Sequence, residues 1–143
     1  MRDIDVDPGA PDTWADQLLR ALAEELTQPH PAECLQCYVA RMLDSFGCDT
    51  TLRFAVHYRD VNARAAVGLE GHLGRAGGFC DCEIFLNGWW LDRRIWSMAR
   101  HPAGRSAARG ATSPPSPLPP CGGVRRGSTK PCGNWERRSR SAW

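Results

Sequence analysis

Seven cysteines in a chain of 143 residues define the chemistry most open to this protein. Cys34 and Cys37 form a C-x-x-C, Cys80 and Cys82 a C-x-C, and Cys48 lies between the two pairs. Near a helix start, i,i+3 spacing puts both sulfurs of the first pair on one face. In an extended backbone residues two apart point the same way, so the second pair also converges while Asp81 faces outward. Two such pairs can close a tetrahedral four-sulfur shell around one ion. Thiolate ligands select zinc first and an iron–sulfur cluster second. Cys48, which follows a helix-ending glycine, is the alternative ligand in place of Cys34 or Cys37. Were it the third sulfur, His57 or His72 would complete the shell.

The same residues admit plainer readings. A free cysteine is often a small core hydrophobe, but two close pairs in one small domain favour a metal. A thiol at a helix N-terminus has a lowered pKa, as redox enzymes exploit. Their C-x-x-C follows a strand, whereas here it follows Pro29-His30-Pro31 and a helix. Binding energy of about 10–16 kcal/mol from a structural zinc would add directly to folding, where a core of so few residues is marginal alone.

The elements that must position these thiols are mostly helical. Thr13-Trp14-Ala15-Asp16 fits a capping box, and Trp14, Leu18, Leu22 and Leu26 recur every four residues along a first helix. Pro31 is suited to open a second helix over about 32–46, with Leu35, Val39, Met42 and Phe46 on one face and Gly47 as C-cap. A third helix is expected after Asp49-Thr50, carrying Leu52, Ala55 and Val56 inward. A fourth, weakened by Gly68 and Gly71, spans about 64–75, with Leu69 and Leu73 as core candidates. Phe79–Leu86 reads as a short strand or extended arm, ending at the Asn87-Gly88 turn signal. The fold class is therefore mainly α: three to four short helices and a short C-terminal strand or arm around a cysteine-rich metal site.

Charge divides the chain more sharply than its net +2 suggests. Residues 1–33 carry −6, residues 34–92 carry −2, and residues 93–143 carry +10. This implies a flexible acidic leader (1–11), an ordered cysteine-rich domain (12–92) and a basic tail (93–143) rich in Pro, Gly, Ser and Arg. Large apolar residues are too sparse in the tail to repay chain entropy of about 1–2 kcal/mol per residue, so disorder is expected there. Its composition also matches translation of GC-rich DNA in a shifted frame, a bias seen in 17 arginines against one lysine. On either account Cys121 and Cys132 are expected to stay apart from the main site. The N-terminus lacks the basic and apolar regions of a signal peptide, and no apolar run approaches the roughly 20 residues of a membrane span. A cytoplasmic protein with reduced thiols and no membrane partner is the expectation.

Gly47-Cys48-Asp49-Thr50-Thr51-Leu52-Arg53, followed by Gly77-Gly78-Phe79-Cys80-Asp81-Cys82-Glu83-Ile84 and Asn87, resembles a bacterial family known as domain of unknown function 2695. Cys34-Leu35-Gln36-Cys37-Tyr38 and Phe85-Leu86-Asn87-Gly88-Trp89 resemble its actinobacterial members especially. The likeness spans about residues 33–90. It implies Cys48, Cys80 and Cys82 as the shared thiols, with Asp49, Thr51, Arg53 and Glu83 beside them, and it implies no activity.

Three function classes follow. The first is a zinc-stabilised binding or structural module, with an unknown protein as its partner, whose closed shell leaves no position for substrate. The second is a helix-turn-helix DNA binder, reading bases through Arg53, His57 and Arg59. The −2 charge of residues 34–92 opposes it, because phosphate attraction supplies most non-specific affinity. The third is a zinc or thiol enzyme in which Cys48, Cys80 and Cys82 hold the ion and Glu83 or Asp49 acts as base. An enzyme is the less expected outcome, since the chain has no phosphate-binding glycine loop and no nucleophile elbow.

Overall fold

The computed structural model describes residues 14–92, 94–95 and 118–138. The acidic leader and Thr13 of the expected capping box lie outside the described residues. Among those described, α1 (Trp14–Leu26), α2 (Leu35–Phe46), α3 (Arg53–Asn62) and α4 (Leu69–Arg75) come in order. A single turn, α5 (Asp81–Glu83), runs directly into a π-helical turn (Ile84–Gly88). Two short strands, β1 (Trp89–Leu91) and β2 (Trp135–Arg137), pair antiparallel with Trp90 opposite Glu136.

The centre of the fold is α2. Leu35, Gln36, Tyr38, Val39 and Met42 are all fully or almost fully buried. Such a helix is wrapped on several sides, not merely seated on one face. Leu69 and Leu73 of α4 enter the same core, as do Phe54, Ala55 and Tyr58 of α3. Ile84, Phe85, Trp89 and Leu91 close it from the segment after the second cysteine pair.

Helix α2 begins three residues later than the proline suggested. Cys34 is its N-cap, with the sulfur accepting from the Cys37 N–H at 3.3 Å. Pro31 sits in a turn before it. That turn is held by the buried Glu33 carboxylate, which accepts from the His30 N–H and from Arg41 Nε and its terminal nitrogen. At the other end Gly47 takes φ 73° and its N–H returns to the Leu43 carbonyl, the expected left-handed cap. Phe46 remains about half exposed.

The apolar stripe of α1 has no partner among the described residues. Trp14, Leu18, Leu22 and Leu26 are all largely exposed, and the helix buries none of its residues. Its end is tied down where Tyr38 Oη donates to the Thr27 carbonyl at 2.7 Å.

The expected strand over Phe79–Leu86 is replaced by the helical segment from 81 to 88. The cause is Asp81, which is fully buried. Its two carboxylate oxygens accept the Phe54 and Ala55 N–H groups at 3.0 and 3.1 Å. Asp81 thus satisfies first-turn donors of α3 from a distant part of the chain, the role that Asp49-Thr50 seemed placed to fill. An outward-facing Asp81 is excluded by this contact. The preceding turn requires glycine: Gly77 has φ 84°, and a Cβ there would meet Asn87 Cβ at 2.8 Å.

Expected disorder over 93–143 does not hold for residues 118–138, which pack against the core through Cys132 and Trp135; 93, 96–117 and 139–143 lie outside the described residues. Trp135 is buried and its ring lies 5.0 Å from that of Phe85. Main-chain hydrogen bonds join Val124 to Ala32, Asp92 to Asn134 and Arg138 to Gly88. Arg137 and Arg138 cover Trp89 and Trp90 at 4.7 and 4.2 Å from the ring centres. A few aromatic and sulfur anchors repay the chain entropy that a count of aliphatics left unpaid.

The two tyrosines of the chain are both buried against α3 and α2, with rings 5.6 Å apart. Tyr58 Oη donates to the Glu33 carbonyl at 2.7 Å. Burial pushes both phenols up to about 12 from an ordinary 10.0. The fold therefore favours the protonated phenols. Their contribution is complete below pH 10 and is lost as pH rises through about 12. Alkaline titration at 295 nm is expected to show no tyrosinate in folded protein until near pH 12. A midpoint near 10 in protein that is still folded would contradict the burial.

Candidate metal centre

Four sulfurs meet at the N-terminus of α2. Those of Cys34, Cys37, Cys121 and Cys132 all lie within 4.8 Å of one another, and three of the four residues are buried. Cys37 and Cys132 Sγ are 3.7 Å apart. A tetrahedral ion with metal–sulfur bonds of about 2.3 Å spaces its sulfurs by about 3.8 Å, so the distance suits one ion. A multi-iron cluster would sit between the cysteines and hold them farther apart.

Backbone donors surround these sulfurs as they would thiolates. Cys34 Sγ accepts from the Cys37 N–H, and Cys121 Sγ accepts from both the Cys34 and Gly123 N–H groups, at 3.2 and 3.3 Å. The Trp135 indole donates to Cys37 Sγ at 3.2 Å. Gly123 has φ 85°, which lets the Cys121-Gly122-Gly123 turn aim its N–H back at the sulfur.

The thiols respond unequally to being crowded. The hydrogen bond from Cys37 outweighs burial and holds Cys34 down to about 5. Cys37, which gives that hydrogen bond and is buried, is pushed strongly up, and burial pushes Cys132 up. One proton leaves easily and those of Cys37 and Cys132 are held, because burial and the neighbouring thiols oppose further negative charge. A divalent cation supplies that compensation and would collect all four thiolates.

The sequence-derived shell of Cys34, Cys37, Cys80 and Cys82 is not assembled. The C-x-x-C and the C-x-C belong to two separate clusters, because each finds nearer partners. Cys80 and Cys82 join Cys48, again with all sulfurs within 4.8 Å. Cys121 and Cys132, set aside on sequence grounds, complete the first cluster. The signal was present in Cys121-Gly122-Gly123, where Gly123 takes the positive φ that the sulfur-binding turn requires. A distant, proline-rich setting hid it.

Other candidate residues have structural partners. Asp49 Oδ1 accepts from the Thr51 N–H and hydroxyl at 3.0 and 2.5 Å, and Arg53 lies 3.6 Å from Asp49. Arg53 also donates to the Gly47 carbonyl. Glu83 accepts from the Phe79 N–H, and Arg59 pairs with Asp60 and Glu70. His72 is exposed, 6.2 Å from the Trp89 ring, and belongs to neither cluster. His57 Nε2 is buried and has no hydrogen-bond partner among the described residues, but it too stands outside both clusters.

A family model described as "Protein of unknown function (DUF2695)" matches residues 35–87. The match runs from α2 through the π-helical turn and contains Cys48, Cys80 and Cys82. Of the four-sulfur cluster it contains Cys37 alone. No curated protein and no solved structure matches the chain. No described helix is long and apolar enough to cross a membrane.

Proposed function

We propose that the protein is a zinc-stabilised binding or structural module, with one Zn²⁺ held by Cys34, Cys37, Cys121 and Cys132. The carrying observation is the convergence of four sulfurs, from both ends of the described chain, at spacings that suit a single tetrahedral ion. Thiolate ligands favour zinc among available divalent ions. Four protein ligands leave no position for water or substrate, so this centre is structural and not catalytic.

The ion staples residues 118–138 onto α2 and completes the core around Trp135. Elemental analysis and thiol titration of the full chain test this reading. Zinc is expected, with these four thiols protected until a chelator removes it. Full folding and free reactivity of the four thiols in metal-free protein would refute it.

A further inference from the structure

Cys48, Cys80 and Cys82 form a second cluster with a different character. Cys80 and Cys82 Sγ are 3.3 Å apart, and Cys48 is exposed. Among the described residues no fourth histidine, cysteine or carboxylate joins them. The arrangement is nonetheless built. Between its two cysteines Asp81 grips the first turn of α3, and its own N–H donates to the Thr51 carbonyl at 3.0 Å. On the facing loop the Thr50 N–H donates to Cys48 Sγ at 3.3 Å, and Asp49 closes the turn onto Thr51.

Cys48 and Cys82 line a groove of about 1190 Å³, with Leu43, Phe85 and Leu86 on its apolar wall. We propose that Cys48, Cys80 and Cys82 bind a second Zn²⁺ as three thiolates and leave its fourth position open to a ligand in this groove. Three protein ligands with one exchangeable position are the pattern of zinc sites that bind small molecules. Three thiolates on Zn²⁺ carry a net charge of −1, so the position suits a neutral nitrogen donor such as an imidazole. The ligands are different residues from those of the structural centre, although Cys37 and Cys121 line the same groove, and counting ions in single-cysteine variants tells the two sites apart.

The full chain loaded with Zn²⁺, and in parallel with Co²⁺, tests the proposal. Two ions per chain are expected in the wild type and one in Cys48→Ser and Cys82→Ser, with far-UV circular dichroism unchanged. Cys48 is exposed and Cys82 half-buried, so both serines are accommodated. Added imidazole is expected to shift the visible bands of the Co²⁺ wild type and to leave those of Cys48→Ser unchanged. A single ion that Cys48→Ser retains would overturn the site. Two ions with no response to imidazole would overturn its open position. If only the four-sulfur reading fails, the wild type holds one ion that Cys48→Ser loses and Cys132→Ser keeps, which supports this proposal.

Discussion

Replacing Cys132 with serine is expected to melt the protein far below the wild-type temperature and to abolish its gain in stability from added Zn²⁺. Serine is close in size to cysteine, so lost packing contributes little. In the proposed zinc centre, what disappears is one of four ligands to an ion whose binding would add about 10–16 kcal/mol to a small fold. Total stability of an ordinary domain is only about 5–15 kcal/mol, so on the proposed zinc reading the ion would decide whether this domain folds. Cutting the chain after Asp92 is expected to be at least as damaging. That cut removes both Cys121 and Cys132, strand β2 and the buried Trp135, whose loss alone would cost about 3–5 kcal/mol. Thermal unfolding followed by circular dichroism, with and without chelator, measures both effects. A Cys132→Ser protein that melts with the wild type would show that the tail is held by packing alone.

Asp81→Ala is expected to cost about 2–6 kcal/mol in urea unfolding, although the residue carries no apolar area worth that amount. Its carboxylate receives two N–H groups at the start of α3 in a fully buried setting. Removing the acceptor leaves both donors buried and unpaired, at about 1–3 kcal/mol each. Burial pushes the Asp81 carboxyl up and the two N–H groups oppose it. Asp81→Asn should recover part of the loss, since one amide oxygen remains while the amide nitrogen confronts a donor. The turn that carries Cys80 and Cys82 hangs on this contact, so both variants are also expected to weaken Zn²⁺ retention at Cys48. A loss below about 1 kcal/mol for the alanine variant would mean that water replaces the carboxylate.

The helices were legible because their apolar positions recur at helical spacing. Leu35, Val39 and Met42 of α2, and Leu69 and Leu73 of α4, are buried as their spacing requires. Gly47 caps α2 for a local reason, since its positive φ of 73° is readily adopted only by glycine. Periodicity misled where a side chain acts over a distance. Phe79–Leu86 has the residue types of a strand, yet Asp81 must face inward to reach α3, and a helical turn allows this. Trp14, Leu18, Leu22 and Leu26 have the right period but no partner among the described residues.

By itself the sequence determined that cysteines are the residues most open to chemistry here, that C-x-x-C and C-x-C each present paired sulfurs, and that short helices make up most of the fold. These are properties of neighbours in the chain, fixed by backbone geometry over a few residues. Only the tertiary structure decided which cysteines come together. Cys37 meets Cys132 across 95 positions, and Cys48 meets Cys80 and Cys82 where Asp81 docks onto α3. Those meetings depend on long-range closure, driven by burial of Trp135 and by the hydrogen bonds Asp81 accepts from the first turn of α3, and local spacing carries no information about where such loops close.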